Sequence, residues 1–418
     1  MRIKAVEAGE VKAMEEMEVG LEGFDFKRHA IDEVISFWLE HSVDEEFGGF
    51  WTHLERDGKR YGKGDKFLVM QSRMVYSFTT AYRLTGDDEY LDIARRGASF
   101  IMDHMWDSKH GGWFWAVRRS GRYWKEMGSK RAYGHAFVMY ALAEFARTAD
   151  DSRAREMALE TYELTFQKMW DKERGGLYQV MDEDWYLRDE TKRLDTHLHT
   201  LEALSALAAL TDDSWFRDEM IRICDLICDR MFNEKANCMR EWFLPNWEEN
   251  LEETKGWTDY GHDLEAAWFL WVIGSSLDID RYVSIAKKLL DFVMERGWDE
   301  RHGGVYSKGE PLGEPKVKEK VWWVQCEGIG ALSFAYRMEG EEVYRDRLDG
   351  LVSFCYRRFF DDKYGEWFHL LSEEGEVRDE RKGGEWKAAY HVMQACYHAH
   401  RNLQSLGEPV GKYSSGLL

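Results

Sequence analysis

The fold is decided by the stretch Trp106-Asp107-Ser108-Lys109-His110-Gly111-Gly112, because its pattern returns throughout the chain. The pattern is an aromatic or apolar residue, Asp or Asn, three variable residues, usually Gly-Gly, and then an aromatic-rich run. The Asp or Asn stands at Asp44, Asp107, Asp171, Asn233, Asp299 and Asp361, with spacings of 63, 64, 62, 66 and 62 residues. The fourth copy lacks the glycines. Such a regular period is typical of repeat architectures and predicts six copies of one structural unit.

Each copy of the pattern lies between two helical segments. Residues 89–101 have helical periodicity, the following glycines predict a tight turn, and residues 112–117 predict a short strand. The next helical segment, residues 136–145, is apolar almost all round and is therefore predicted to be buried. Such a unit cannot bury its apolar face alone, so the units must stack in an open solenoid or a closed ring. We favour closure, because the terminal copies lack obvious polar caps. The predicted fold is all-α: six helix hairpins with short β-hairpin excursions.

The composition excludes several functional classes. The chain has 418 residues, of which 44% are hydrophobic, which is ample for a large core. Its net charge of −21 argues against binding to nucleic acids or to an anionic membrane surface. The six cysteines form no C-x-x-C pair, so neither a disulfide framework nor a zinc module is indicated. No secretory signal or membrane-spanning segment is recognisable, and a cytoplasmic protein is expected.

The second helix of each unit holds a polar residue about 24 residues past the marker turn. These residues are Arg73, His135, His199, His262, Glu327 and His391, with spacings of 62, 64, 63, 65 and 64 residues. Equivalent positions on equivalent helices face the same way, so we expect the six side chains to converge at one end of the ring axis. A single buried histidine is more often a hydrogen-bonded core residue, and only the shared spacing favours a functional interpretation.

These residue types suit proton transfer. An imidazole accepts and donates protons near neutral pH, and two imidazoles on opposite faces of a substrate can epimerise a carbon. Arg73, between apolar helix neighbours, is predicted to be buried and to stabilise an oxyanion. Glu265 follows His262 by three residues, so its carboxylate is predicted to orient that imidazole. His197 and His199 point about 200° apart on a helix, which disfavours a metal site.

Five motifs resemble the N-acylglucosamine 2-epimerase superfamily, which includes cellobiose 2-epimerases and mannose isomerases. They are Tyr133-Gly-His-Ala-Phe137, Thr196-His-Leu-His-Thr-Leu-Glu-Ala203, Gly261-His-Asp-Leu-Glu265, Trp322-Trp-Val-Gln-Cys-Glu327 and Trp386-Lys-Ala-Ala-Tyr-His391. The resemblance runs from about Phe26 to Leu403. It implies an (α/α)6 barrel without metal or cofactor that acts on the reducing-end aldose of a mono- or disaccharide. One barrel domain is expected at residues 25–405, between an acidic N-terminal extension (1–24) and a C-terminal tail (406–418).

The resemblance also implies which side chains form the site. The candidate catalytic residues are His262, His391, His199, Arg73 and Glu265. The candidate substrate-binding residues are Tyr133, Asp195, Trp268, Trp323, Glu327 and Trp386, with the tryptophans as a stacking wall for sugar. Asp195 departs from the family, because the cellobiose epimerases carry Asn there. Because of that departure, the resemblance does not specify which sugar is the substrate.

The implied reaction begins with sugar ring opening assisted by His199. One of His262 and His391 then removes the C2 proton to give a cis-enediolate held by Arg73. Protonation of C2 from the opposite face gives the 2-epimer, whereas protonation of C1 gives an aldose–ketose isomerisation such as mannose to fructose. A glycosidase on the same barrel and a non-catalytic sugar-binding protein are the less favoured alternatives. A monomer or homodimer is expected.

Overall fold

Six inner helices form a closed ring in the computed structural model, which describes residues 20–408. The inner helices, first to sixth, are Leu68–Thr85, Ala132–Ala149, Leu194–Thr211, Tyr260–Leu277, Trp322–Glu339 and Tyr390–Gln404. Each packs against the next one, and the sixth packs against the first. Because they contact neighbours on all sides, the inner helices are buried along most of their length. The predicted closed ring of helix hairpins is confirmed.

Six outer helices surround the ring, each packed on an inner helix. The first is built from three consecutive pieces, and the fourth ends in a π-helical turn. In chain order the outer helices are Phe26–Arg28 with His29–Ile35 and Ser36–His41, Asp88–His104, Ser152–Lys168, Ser214–Leu226 with Ile227–Met231, Asp280–Arg296 and Glu342–Arg358. Three short helical turns complete the set, at Leu21–Gly23, Lys125–Met127 and Leu251–Thr254. The first outer helix packs on the sixth inner helix, so the two ends of the barrel close on each other.

The excursions lie where each outer helix ends and the next inner helix begins, and their strands join adjacent repeats. All strand pairs are antiparallel. The sets are Lys66–Phe67 with Ala116–Val117; Lys130–Arg131 with Val180–Met181 and Leu187–Asp189; Lys192–Arg193 with Trp242–Phe243; Phe232–Asn233 with Cys238–Met239; Thr258–Asp259 with Lys308–Gly309 and Pro315–Val317; and Lys320–Val321 with Leu370–Leu371 and Val377–Asp379. The strand before an inner helix pairs with the following excursion in five cases, which ties the loops into a collar around one mouth of the barrel.

The repeated marker sequence forms the predicted tight turn. In the second copy, Asp107 accepts a hydrogen bond from the N–H of Gly111 and donates its own N–H to the carbonyl of Gly112. Gly111 and Gly112 have φ of +73° and +78°, a region that strongly favours glycine. The positive φ at both positions explains why most copies of the marker carry Gly-Gly.

A buried lysine neutralises the marker aspartate in five repeats. The lysine Nζ lies 2.7 Å from the carboxylate in the pairs Lys130–Asp107, Lys192–Asp171 and Lys320–Asp299, 3.0 Å in Lys66–Asp44 and 3.2 Å in Lys382–Asp361. In the fourth repeat Asn233 and Thr258 occupy the corresponding places, so both charges are lost together. Paired loss is expected, because an unpaired buried charge is costly.

Replacing Asp171 by alanine should therefore destabilise the barrel. The variant leaves the Lys192 ammonium buried without its carboxylate, and we expect the apparent free energy of unfolding in urea to fall by roughly 3–5 kcal/mol. The double variant Asp171→Asn/Lys192→Thr copies the fourth repeat and should recover most of that loss. Equal destabilisation of the single and double variants would contradict this account.

The two predicted end segments fall largely outside the described residues, since residues 1–19 and 409–418 are not described. Their assignment as an extension and a tail stays a prediction. Among residues 20–408, no helix is both long enough and apolar enough to cross a membrane.

Candidate active site

A cavity of about 280 Å³ opens at the N-terminal ends of the inner helices, inside the collar of excursions. Its lining residues are Arg73, Tyr133, Arg193, Asp195, His199, His262, Glu265, Trp322, Trp323, Trp386 and His391. Nine of the eleven predicted site residues are in that set, and the other two, Trp268 and Glu327, are not. The structure thus brings the predicted histidines and Arg73 to one place.

The six axial residues are not equivalent positions, which corrects the repeat register predicted from sequence. Arg73, His199, Glu265 and Glu327 are each the sixth residue of their inner helix, and Phe137 is the sixth residue of the second. His135 is the fourth residue, His262 the third, and His391 the second of a helix that begins late. Spacings near 63 residues concealed shifts of up to three positions, and each such shift turns a side chain to another face of the helix.

His135 was expected in the site and instead supports the excursion. Its Nε2 accepts the N–H of Trp113, and its Nδ1 lies 2.9 Å from the carbonyl oxygen of Arg131. Burial lowers the pKa of His135 to about 4, so the ring is neutral. His197 makes the equivalent bonds, to the N–H of Leu177 and the carbonyl of Arg193. The prediction that only one of His197 and His199 faces the axis is confirmed.

Each histidine of the cavity is paired through Nδ1 with a glutamate. The distances are 3.2 Å for His199–Glu202, 2.7 Å for His262–Glu241 and 2.8 Å for His391–Glu327. A carboxylate only accepts hydrogen bonds, so it places the proton on Nδ1 and leaves Nε2 for the substrate. The predicted partner of His262 was wrong: Glu241 replaces Glu265, whose Oε1 lies 3.8 Å from Nε2 of His199.

His262 is the protonated imidazole of the cavity. Burial acts to lower its pKa, but the negative charges of Glu241, Asp259 and Glu265 outweigh burial and hold the pKa well above the usual value for histidine. An imidazolium carries a proton on both ring nitrogens. His262 is therefore prepared to donate a proton from Nε2.

His391 has the opposite preference. Burial, and next the positive charge of Arg73, lower its pKa well below the usual value. Burial also raises the pKa of the Glu327 carboxyl, which bonds to His391, to about 8. The two groups titrate as a unit. When this unit has lost its proton, Glu327 accepts from Nδ1 and the lone pair of Nε2 is free to act as a base.

His199 and Glu265 form a largely uncharged corner of the cavity. Burial lowers the pKa of His199, although Glu202 opposes this. Burial, reinforced by the charge of Glu327, raises the pKa of Glu265 well above its usual range. Glu202 is fixed by two further donors, the hydroxyl of Tyr390 at 2.5 Å and Nε2 of Gln394 at 2.6 Å. A neutral imidazole and a protonated carboxyl together can move a proton between two sugar oxygens.

Arg73 places an unneutralised positive charge beside the histidines. One guanidinium nitrogen donates to the carbonyl of Trp386 and another to the hydroxyl of Tyr133 at 3.1 Å. The guanidinium stacks on the rings of Phe137 and Tyr390, at 4.5 and 5.2 Å from their centroids. Within residues 20–408 no carboxylate forms an ion pair with Arg73, and its Nε has no hydrogen-bond partner. Its charge is thus available to a developing oxyanion.

Three tryptophans line the cavity, Trp322, Trp323 and Trp386. The ring of Trp323 lies 5.1 Å from the ring of His262 and 5.8 Å from that of His391. Trp386 is 47% exposed at the mouth and contacts the ring of Tyr133. Trp268 was predicted in this aromatic wall and instead lies deeper, one helical turn beyond Glu265, where its Nε1 donates to Glu327 at 2.8 Å.

Asp195 lies in the first turn of the third inner helix and lines the cavity. Its Oδ1 accepts the N–H of Thr196 at 2.6 Å, and its other carboxylate oxygen has no bond to a described residue. The neighbouring Arg193 also lines the cavity and stacks on Trp242. Both side chains line the cavity, and the role of Asp195 in substrate binding stays a prediction.

Sequence reasoning missed two of the three carboxylates that hold the histidines. Glu202 follows His199 by three residues, the same spacing that singled out Glu265, and was therefore detectable. Glu241 precedes His262 by 21 residues in the irregular fourth excursion, where no spacing rule applies. In the described part of the chain, no group of three or more His, Cys, Asp and Glu side chains is arranged to hold a metal ion.

Comparison with known proteins places the chain in a family. The family model for N-acylglucosamine 2-epimerase (GlcNAc 2-epimerase) matches residues 49–395. A cellobiose 2-epimerase of Bacteroides fragilis is 26% identical over 387 residues, covering 89% of this chain and 97% of that protein. A D-mannose isomerase of Marinomonas mediterranea is 25% identical over 383 residues, covering 89% and 96%.

A solved structure agrees with the sequence relatives. The cellobiose 2-epimerase of Spirochaeta thermophila superposes with a TM-score of 0.82 at 27% identity and covers 91% of this chain and 96% of that one. These relatives are named epimerases or isomerases, the enzyme class predicted from sequence, and the predicted (α/α)6 fold is confirmed. Because the family model matches most of the chain, residues 49–395, this protein belongs to the N-acylglucosamine 2-epimerase family.

Proposed function

We propose that the protein is a sugar 2-epimerase that acts on the reducing-end aldose of a mono- or disaccharide, with cellobiose or mannose as the substrates of first choice. The observation that carries the proposal is the pair His262 and His391. The two imidazoles both lie close to the Trp323 ring, at 5.1 and 5.8 Å, and have opposite protonation preferences. Groups whose environments push their pKa values apart are the usual acid and base of one reaction.

Ring opening comes first in the proposed sequence. His199 and Glu265 transfer a proton between the anomeric hydroxyl and the ring oxygen, which breaks the C1–O5 bond and frees the aldehyde. The Nε2–Oε1 separation of 3.8 Å leaves these groups close enough to act on neighbouring oxygens of one sugar. Trp386, half-exposed at the mouth, offers a stacking surface for the sugar and for a second ring of a disaccharide.

Proton transfer at C2 follows. Nε2 of His391 takes the C2 proton, the C–H electron pair forms the C1–C2 double bond, and negative charge develops on the former aldehyde oxygen beside Arg73. Nε2 of His262 then donates its proton to the opposite face of C2, and the aldehyde re-forms. One turnover leaves His391 protonated and His262 deprotonated, so exchange with solvent restores the resting state. Delivery of the proton to C1 would yield the ketose.

Proton NMR in D2O tests the proposal with purified protein and mannose, glucose and cellobiose in separate samples. We expect loss of the C2–H signal together with growth of the 2-epimer, which carries deuterium at C2. Fructose formed from mannose would instead establish the isomerase, and glucose released from cellobiose would establish a glycosidase. Absence of both C2 exchange and product for all three sugars and for N-acetylmannosamine would overturn the proposal in favour of a sugar-binding protein.

A further inference from the structure

Glu241 occupies a position that recurs in five of the six excursions. Its carbonyl oxygen accepts the first N–H of the preceding inner helix, from Leu194. Trp115, Gln179, Ser307 and His369 make the same backbone bond in the other repeats. Only one of these five residues is a carboxylic acid. The backbone of the position thus has a repeated structural task, whereas its side chain is free to differ.

In two repeats the side chain of this position bonds to the third residue of the next inner helix. In the third repeat Oε1 of Gln179 accepts the hydroxyl of Thr196 at 2.7 Å, a bond between neutral groups. In the fourth repeat Oε2 of Glu241 lies 2.7 Å from Nδ1 of His262. Thr196 and His262 are equivalent residues of their helices. The same contact has therefore become a carboxylate–imidazole pair at the one place where the third helix residue is a histidine.

The Glu241 carboxylate is held in a fixed orientation. It is 7% exposed, and its Oε1 accepts the N–H of Asp259, the residue before the fourth inner helix, at 3.3 Å. One oxygen is thus bound to the backbone and the other to the imidazole. A carboxylate fixed in this way selects the Nδ1-protonated form and sets the direction of Nε2.

The charges around His262 come from several elements. Glu241 lies on the fourth excursion, Asp259 precedes the helix, Glu265 is on the helix itself, and Lys308 of the next excursion lies 3.4 Å from Asp259. The ring of Trp323 lies 5.1 Å from that of His262 and 5.8 Å from that of His391, the proposed proton acceptor. Lys308 offsets the charge of Asp259. The carboxylate in direct contact with the imidazole is that of Glu241.

We propose that Glu241 is a positioning residue for the reaction at C2: it fixes His262 with Nε2 directed to the substrate and keeps this imidazole charged, which makes His262 the proton donor of the pair. The inference rests on the proposed function. A variant that keeps the shape of Glu241 but cannot ionise then loses the negative charge that favours the imidazolium. Loss of that charge favours the neutral imidazole.

The Glu241→Gln variant tests the proposal. We expect kcat/KM at the wild-type optimum to fall roughly 10- to 100-fold, which is less than removal of a general acid would cost. The alkaline limb of the kcat/KM profile should move to lower pH, because His262 then loses its proton more readily. The ring resonances of His262, followed by NMR, should titrate at lower pH in the same variant. Glu241→Asp, which keeps the charge, should return the limb toward the wild-type position.

The matched control is Gln179→Ala, which removes the corresponding side-chain contact one repeat earlier. It should leave the alkaline limb and the His262 titration unchanged. If wild-type protein exchanges C2–H but Glu241→Gln leaves both the limb and the His262 titration in place, the role of Glu241 is refuted and the proposed function stands. If wild-type protein exchanges no C2–H on any sugar, the proposed function fails. A limb that moves equally in Gln179→Ala would show a general structural effect and also overturn the inference.

Discussion

The His391→Asn variant is expected to lose epimerisation by about 10²- to 10⁴-fold in kcat, the usual contribution of a positioned acid or base. The reason is that His391 is the resting base, with its Nδ1 bound to Glu327 and its pKa held low by burial and Arg73. His262→Asn should cause a loss in the same range, because one imidazole cannot serve both faces of C2. The measurement is the rate of 2-epimer formation by proton NMR.

Isotope exchange makes this prediction sharper than a loss of rate. Each variant keeps one of the two histidines. That histidine can still remove the C2 proton of the epimer whose C2–H bond points toward it. In D2O, His391→Asn should therefore exchange C2–H of one epimer without forming product, and His262→Asn should exchange C2–H of the other. Exchange of the same epimer by both variants would contradict a two-base mechanism. His400→Asn, the same substitution near the far end of the sixth inner helix, is the control and should behave as wild type.

The architecture was predictable because its cause is visible in the sequence. The Gly-Gly pair recurs with the marker aspartate in four copies because both positions have positive φ there, and six copies of the marker require six units. The buried inner helices follow from their apolar composition. Closure of the ring follows from the absence of polar end units, and the contact of the first outer helix with the sixth inner helix realises it.

The types of side chain in the site were predictable from the sequence, but their exact positions along the inner helices were not. His135 satisfied the spacing rule yet bonds to Trp113, because a shift of two residues on a helix turns the side chain away from the axis. The family motifs identified Glu265 as a site residue, which the spacing rule had not done. They also placed Trp268 in the aromatic wall, whereas its Nε1 donates to Glu327. Glu241 could not be inferred, since it comes from the one excursion that departs from the repeat.

Replacement of Arg73 by methionine should lower kcat by about 10²- to 10³-fold, the cost of removing one oxyanion-stabilising group. Arg73 has no carboxylate ion pair among the described residues, and its guanidinium is fixed by Tyr133 and the Trp386 carbonyl. No carboxylate of the described residues therefore neutralises this charge. Its stabilisation of the oxyanion grows as the enediolate forms. Arg73→Lys should recover only part of the rate, because an ammonium cannot make the two fixed bonds while stacked on aromatic rings.

A second effect separates this role from one of positioning Trp386. The charge of Arg73 lowers the pKa of Glu327, although burial keeps that pKa at about 8, and it also lowers the pKa of His391. Without Arg73 the His391–Glu327 pair should bind its proton more tightly. The acidic limb of kcat/KM should then move to higher pH in Arg73→Met. If Arg73 only positions the Trp386 loop, KM rises while kcat and the acidic limb stay in place, since uniform binding alone is lost. A fall in kcat together with the moved limb is the result expected of a group that faces both the base and the developing oxyanion.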